Sequence, residues 1–275
     1  VREQTTKEIE QDKRLLSKMA DIKNKLVVIS GKGGVGKSTV AVNLAYKLAV
    51  NGHSVGILDV DIHGPNIAKM LGVEGKKPEV SDAGIEPVEV LPNLKAMSTS
   101  FFIEDQDQPI IWRGPLKMVT IKQLLSDTNW GSLDYLIIDS PPGTGDEPLS
   151  VCQLIPAVTG AIVVTTPQDV AVMDARKSVL FAKNLQVNVV GIIENMSGMS
   201  CPHCGKEIDW FGSGGGEKSA GDFNVPFLGK IPVDPAMVKH GDAGKPFIHF
   251  KSENQTAKIM NEIVGKIELF IKNNG

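Results

Sequence analysis

An α/β fold with a mostly parallel central sheet and helices on both faces is predicted by three features of this 275-residue sequence. Short apolar runs alternate with longer segments of helical period, the rhythm of βαβ units. The runs are nearly continuous in apolar residues, as strands covered on both faces require. The first run leads directly into a glycine-rich turn and then a helix. A hydrophobic content of 41 % supplies material for a packed core and excludes global disorder.

Residues 1–24 are polar and charge-rich (Glu3, Lys7, Glu8, Glu10, Asp12, Lys13, Arg14) and read as an N-terminal extension, either a surface helix or a loose tail. Residues 25–275 read as one domain. Its candidate strands are Leu26–Ser30, Val55–Leu58, Tyr135–Ile138, Ala161–Thr165, Val187–Ile193 and Phe227–Ile231. Its candidate helices are Lys37–Val50, Pro115–Leu125, Val170–Lys183 and Gln255–Ile271. Val80–Met97, punctuated by Gly84, Pro87 and Pro92, reads as an antiparallel excursion. Ser197–Gly216 is rich in Gly and Ser and interrupts the α/β rhythm; so long a loop is usually functional or mobile. The last segment places Ile259, Met260, Ile263, Val264, Ile267 and Phe270 at helical spacing. Its polar face mixes Lys258, Glu262, Lys266 and Glu268, without the basic excess that anionic lipid attracts, so packing on the sheet is expected.

The 29 Lys and Arg against 32 Asp and Glu leave a formal charge of −3, which argues against nucleic-acid binding by bulk attraction. No apolar run is long enough to span a membrane. Three cysteines cannot close a disulfide framework; with no signal peptide read, a reducing, cytoplasmic setting is expected.

The glycine turn reads Gly31-Lys32-Gly33-Gly34-Val35-Gly36-Lys37-Ser38-Thr39. It fits G-x-x-x-x-G-K-[ST], the phosphate-binding P-loop, and makes the fold a three-layer P-loop NTPase. Glycines let successive backbone N–H groups converge on phosphate oxygens, and the following helix adds its positive end. Lys37 is positioned for the β- and γ-phosphates of ATP, Ser38 for Mg²⁺, and Thr39 for the α-phosphate. Gly31, Gly33 and Gly36 also spell a dinucleotide fingerprint with Asp59 downstream. Lys37-Ser38 decides against it, because that loop needs neither a cation nor a hydroxyl there.

Two apolar strands end in acids: Asp59-Val60-Asp61-Ile62-His63-Gly64-Pro65 and Asp139-Ser140-Pro141-Pro142-Gly143-Thr144-Gly145-Asp146. Asp61 and Asp139 are the candidates for holding Mg²⁺ and placing the attacking water. The Pro/Gly-rich continuation after Asp139 suits a loop that senses the γ-phosphate. The alternative is that such acids only cap the next helix. His63 is given no catalytic role, and Trp112 and Trp210 read as packing or interface residues.

Cys201-Pro202-His203-Cys204-Gly205 lies in the long loop. Thiolates at this spacing grip one soft metal or one edge of a cluster. The pair gives two ligands, and two chains related by a two-fold axis would give four. Iron–sulfur, zinc, thiol–disulfide exchange and an inert pair all remain open on spacing alone. Exchange chemistry wants the first Cys at a helix N-terminus; the flanking Gly198, Gly205, Gly212 and Gly214–Gly216 do not suit a helix.

Lys32 within K-G-G-V-G-K-S-T resembles the signature lysine of the deviant Walker-A ATPases, a class that includes the nitrogenase iron protein, the arsenite-pump ATPase and the Min and Par positioning ATPases. That resemblance implies a homodimer in which Lys32 touches the partner's nucleotide. It also implies that Asp61 and Asp139 are the two switch acids, that Asn195 reads the adenine edge, and that Pro232 and Asp234 flank the base. The wider match is closer. Asp59–Asn66, Asp139–Glu147, Thr165–Asp169, Glu194–Ser197 and Cys201–Gly205, over about residues 25–270, resemble the Mrp family of iron–sulfur cluster carrier ATPases. The family implies a 4Fe–4S cluster held by Cys201 and Cys204 of two chains, with zinc as the competing metal, and transfer to apo iron–sulfur proteins. Some members carry an N-terminal four-cysteine motif; residues 1–24 contain no Cys, so no second cluster is expected.

Overall fold

The structure, a computed structural model, describes residues 6–62, 64–102, 114–201, 203–250 and 253–274. His63 and Trp112 lie outside the described residues. The chain opens with α1 (Thr6–Ala20), β1 (Ile22–Ile29), α2 (Lys37–Val50), β2 (Val55–Asp59) and the short α3 (Ile67–Met70). Four strands follow, β3 (Glu79–Ser81), β4 (Gly84–Glu86), β5 (Val88–Leu91) and β6 (Leu94–Ser98). Then come α4 (Gly114–Asp127), β7 (Leu133–Asp139), α5 (Asp146–Leu154), β8 (Gly160–Thr165), α6 (Asp169–Asn184) and β9 (Val189–Asn195). The last part holds β10 (Met199–Ser200), β11 (Glu207–Ile208), α7 (Gly215–Phe223), β12 (Phe227–Ile231), α8 (Pro235–Asp242), α9 (Phe247–Phe250) and α10 (Gln255–Asn274).

The eight-stranded sheet has the order β12-β9-β8-β1-β7-β2-β6-β5. Every neighbouring pair is parallel except β5–β6. Every residue of β2, β8 and β9 is buried, so both sheet faces are covered, as their apolar composition requires. β1 lies in mid-sheet between β8 and β7, and the glycine turn therefore opens where strand C-termini converge, the usual ligand position in α/β folds.

Three departures from the sequence reading have physical causes. β1 starts at Ile22 rather than Leu26, because Ile22 is buried and pairs with Leu133; the preceding α1 buries Leu15 and Met19 and packs on α4. The antiparallel excursion is only partly separate: β3–β4 is a two-stranded hairpin outside the main sheet, tied to it through the segment after α4 by Asn129 N donating to Ile85 O at 2.8 Å, but β6 joins the main sheet parallel to β2. A helix does begin in the Gly214–Gly216 run, at Gly215. A Cβ on Gly215 would lie 2.6 Å from Val172 Cγ2 and 2.8 Å from the Pro167 carbonyl oxygen, so the glycines serve close packing and tertiary contact outweighs their poor propensity.

α10 buries Met260, Ile263, Val264, Ile267 and Ile271 and packs on β12, β9 and α2, which agrees with the sheet-packing expectation. Among the described residues no helix is long and apolar enough to cross a membrane. Trp210 is not a packing residue in the single chain; it is 67 % exposed.

Candidate nucleotide cleft and cysteine hairpin

Gly34 and Gly36 take left-handed backbone angles, with φ of 79° and 84°, which a side chain would strain. Gly36 occupies the N-cap of α2, and no side chain caps that helix. Its first N–H groups are thus free of a capping side chain and suit an anion. A Cβ on Gly36 would lie 2.2 Å from Asn195 Nδ2, and that same amide donates to the Val35 carbonyl oxygen at 2.9 Å. The turn is also packed from behind: a Cβ on Gly31 would fall 2.3 Å from the Asp174 carbonyl carbon of α6.

Lys37 and Ser38, the first residues of α2, both reach Asp139 at the end of β7. Lys37 Nζ is 2.6 Å from Asp139 Oδ1, and Ser38 Oγ donates to Oδ2 at 2.5 Å. The loop after Asp139 is stitched to β1 and the turn, since Ser140 N donates to Val28 O at 3.2 Å and Gly143 N to Ser30 O at 2.8 Å.

Asp59, at the end of β2, is the register partner of Asp139 and is fully buried. Its Oδ1 accepts from Asp61 N at 3.1 Å; its Oδ2 accepts from Ile67 N at 3.2 Å and from Ser98 Oγ at 3.3 Å. Burial, reinforced by the Asp139 charge, pushes its carboxyl up to about 8, while the N–H donors and Lys37 pull it back only in part. In the sequence Asp59 enters only as the acid of the rejected dinucleotide fingerprint. An available signal was that it ends an apolar strand, as Asp139 does.

These elements bound a cleft of about 490 Å³, a size ordinary for small-ligand sites. Gly33, Gly34, Gly36, Lys37, Ser38 and Thr39 line it, as do Asp61, Asn195, Pro232 and Asp234. Asp139 stands just behind Lys37 and Ser38, fully buried. Val35 is buried, and Lys32 is half-buried and outside the lining. Asp234 also caps α8, its Oδ1 accepting from Ala236 N at 2.8 Å. Phe211 lines the cleft too and was not foreseen.

Cys201 and Cys204 stand apart from the cleft, at the tip of the β10–β11 hairpin. Cys201 N donates to Lys206 O at 2.8 Å, and Gly205 N to Cys201 O at 2.9 Å. The N–H groups of His203 and Cys204, with the Cys204 thiol, hold the Cys201 thiol below its ordinary range, which favours the metal-binding thiolate. Neither cysteine begins a helix. Among the described residues no group of three or more His, Cys, Asp and Glu forms a metal site. Cys152 is buried, and burial pushes its thiol up to about 11.

A family model described as NUBPL iron-transfer P-loop NTPase matches residues 21–268. The chain belongs to this family. The NUBPL-type chain is 51 % identical over 261 residues to an iron–sulfur cluster carrier protein of Methanocaldococcus jannaschii, covering 94 % of this chain and 90 % of the relative. It is 48 % identical to the cytosolic Fe–S cluster assembly factor CFD1 of Kluyveromyces lactis, covering 80 % of each chain. Among solved structures, a nucleotide-binding protein from Archaeoglobus fulgidus, in complex with ADP and with cobalt found, aligns at a TM-score of 0.75 with 38 % identity, covering 86 % of this NUBPL-type chain and 92 % of that one. The cell-division ATPase MinD of Pyrococcus furiosus aligns at 0.65 with 24 % identity over 90 % of this chain and 98 % of its own, a likeness of fold.

Proposed function

We propose that this chain is an ATP-hydrolysing iron–sulfur cluster carrier. Two copies hold one 4Fe–4S cluster between their Cys201 and Cys204 thiolates and pass it to apo iron–sulfur proteins in the cytoplasm. The observation that carries the reading is the pairing of two features. A P-loop cleft with Lys37 and Ser38 converging on Asp139 lies in the same chain as a hairpin whose exposed tip presents two thiols. Two ligands per chain leave a soft metal centre incomplete, and a two-fold partner completes it. The names of the Methanocaldococcus and Kluyveromyces relatives support the same cargo.

In this reading residues 25–275 are the ATPase unit, 197–216 its metal loop and 1–24 an N-terminal extension. Gly31, Gly33, Gly34, Val35 and Gly36 wrap the phosphates with backbone N–H groups, and Thr39 supports the α-phosphate. Lys37 moves from Asp139 to the β- and γ-phosphates. Ser38 Oγ would hold Mg²⁺, with Asp139 and Asp61 behind it; the metal would supply charge neutralisation for the phosphates. Asp61 orients the attacking water. Asn195 meets the adenine edge, Pro232 and Asp234 flank the base, and Lys32 reaches the partner's nucleotide. Closure of the pair moves the loops after Asp61 and Asp139 and so alters the grip of the hairpins on the cluster.

Anaerobic reconstitution with iron and sulfide, followed by metal and acid-labile sulfide analysis, tests it. One 4Fe–4S cluster per two chains is expected, lost in both Cys201→Ala and Cys204→Ala, with transfer to an apo-enzyme thereafter. A colourless protein, zinc without sulfide, or a cluster that survives both substitutions overturns the reading.

A further inference from the structure

β9 ends in two adjacent residues that face different sites. Asn195 lines the nucleotide cleft and bonds the P-loop at Val35. Glu194, fully buried, turns to the cysteine loop instead. Its Oε1 accepts from Ser197 Oγ at 2.5 Å and from Gly214 N at 2.8 Å, and its Oε2 from Gly216 N at 2.5 Å. The Ser197 hydroxyl proton is thereby used on Glu194. Ser213 Oγ, 3.2 Å away, is left as the donor to Ser197 Oγ. Ser197 precedes the β10–β11 hairpin, and Ser213, Gly214 and Gly216 follow it. One side chain thus gathers the start and the end of the segment that presents Cys201 and Cys204. The fit is close, since a Cβ on Gly216 would lie 3.1 Å from Glu194 Oε2. Two further ties fix the loop base to β12 and its continuation: Ser197 N to Ile231 O at 2.9 Å and Val233 N to Gly198 O at 2.8 Å. Phe211, within the loop, reaches the cleft lining.

We propose that Glu194 is a positioning residue that fastens both ends of the cysteine loop to the strand end bearing Asn195. Nucleotide in the cleft thereby sets how firmly the two thiols are held. The fastening stands on the hydrogen bonds alone; what the loop holds rests on the carrier reading above. Glu194→Gln keeps the shape but turns one end of the group into an N–H donor facing donors, so at least one tie is lost and replaced by a clash of like groups.

The test uses the full chain in two arms. In the first, hydrogen exchange of metal-free protein is followed with and without ADP. Glu194→Gln should speed exchange in residues 197–216 by about tenfold or more and leave β1 and β7 unchanged. ADP should slow that segment in the wild type but not in the variant. Wild-type exchange in the variant loop overturns the fastening. ADP having no effect on the wild-type loop overturns the coupling. Should Glu194→Gln unfold throughout, Ser197→Ala, which removes one tie, must still loosen the loop alone; no loosening there is equally fatal. In the second arm Co²⁺ is titrated as probe and its thiolate charge-transfer absorption read. The variant should bind it about tenfold more weakly, with the dependence on ADP lost. Equal affinity despite a loosened loop overturns the positioning role. A wild type with no thiolate–cobalt absorption defeats the carrier reading, while the exchange arm still decides the fastening.

Discussion

Lys37 Nζ and Asp139 Oδ1 are 2.6 Å apart with both side chains buried, and Ser38 Oγ takes the other carboxylate oxygen. The strand-end acid therefore engages the same cation and hydroxyl that the glycine motif aims at phosphate and metal. Asp139→Asn keeps the shape but removes the charge that balances Lys37 and that, in the proposed carrier, would help to place the metal. ATP turnover, read as phosphate release, should fall by about a hundredfold or more. ADP binding without Mg²⁺, read with a fluorescent analogue, should change little. Turnover near the wild-type rate would remove Asp139 from the site.

Asp59 and Asp139 are side by side on β2 and β7. The Asp59 carboxyl is pushed from an ordinary 3.8 to about 8, first by burial and then by the Asp139 charge. Between those values the folded chain keeps a proton that the unfolded chain has released. Stability is therefore greatest at the acidic end of the window and declines as pH rises through it, levelling above about 8. Asp59→Asn has no such proton, so its urea midpoint should vary less across the same range. An unchanged slope would assign the proton to another group.

Gly36 and Asn195 exclude any side chain between them, since a Cβ on Gly36 would lie 2.2 Å from the amide nitrogen. Gly36→Ala adds that collision to a φ of 84°. It should abolish detectable ADP binding and destabilise the fold by about 1–3 kcal/mol. Asn195→Ala alone should weaken ADP binding by about 1 kcal/mol. The double variant should be less destabilised than the sum of the two, because the collision is gone and only the backbone strain and the lost Asn195–Val35 hydrogen bond remain. Additive losses in a thermal-melt cycle would mean that the two residues do not meet.

The local signals carried far. α2 begins and ends at the residues read from the sequence, Lys37 and Val50, and so does β12 at Phe227 and Ile231, because a glycine turn and an apolar run mark their own ends. Elements that depend on distant partners were not legible. α5 follows the Pro/Gly-rich continuation after Asp139 and is not among the candidate helices, and α7 starts among glycines that only β8, β9 and α6 explain. The motifs identify cleft residues but not their convergence, which only the fold provides. Asp59 was passed over because nothing in Asp59-Val60-Asp61 tells which acid is buried; that depends on Ile67 and Ser98. Phe211 was missed because its place in the cleft depends on how the hairpin folds back.

The three cysteines differ enough in environment to be told apart by alkylation. Cys201 is held below its ordinary range by the N–H groups of His203 and Cys204 and by the Cys204 thiol, and the thiolate is the reactive form. Cys152 is buried in the core and pushed up to about 11. With metal-free protein and limiting iodoacetamide at neutral pH, Cys201 should be modified ahead of Cys204, and Cys152 only after denaturation. The Cys201 rate should hold at pH values where an ordinary thiol has already lost reactivity, then fall as pH drops through its lowered value. His203→Pro removes the His203 N–H donor, so it should slow Cys201 and shift its pH profile upward, while Cys152 stays inert. Peptide mass analysis at stepped times reads all three sites together. Equal rates at Cys201 and Cys204, or a profile unmoved by His203→Pro, would show that the hairpin N–H groups do not tune the thiol.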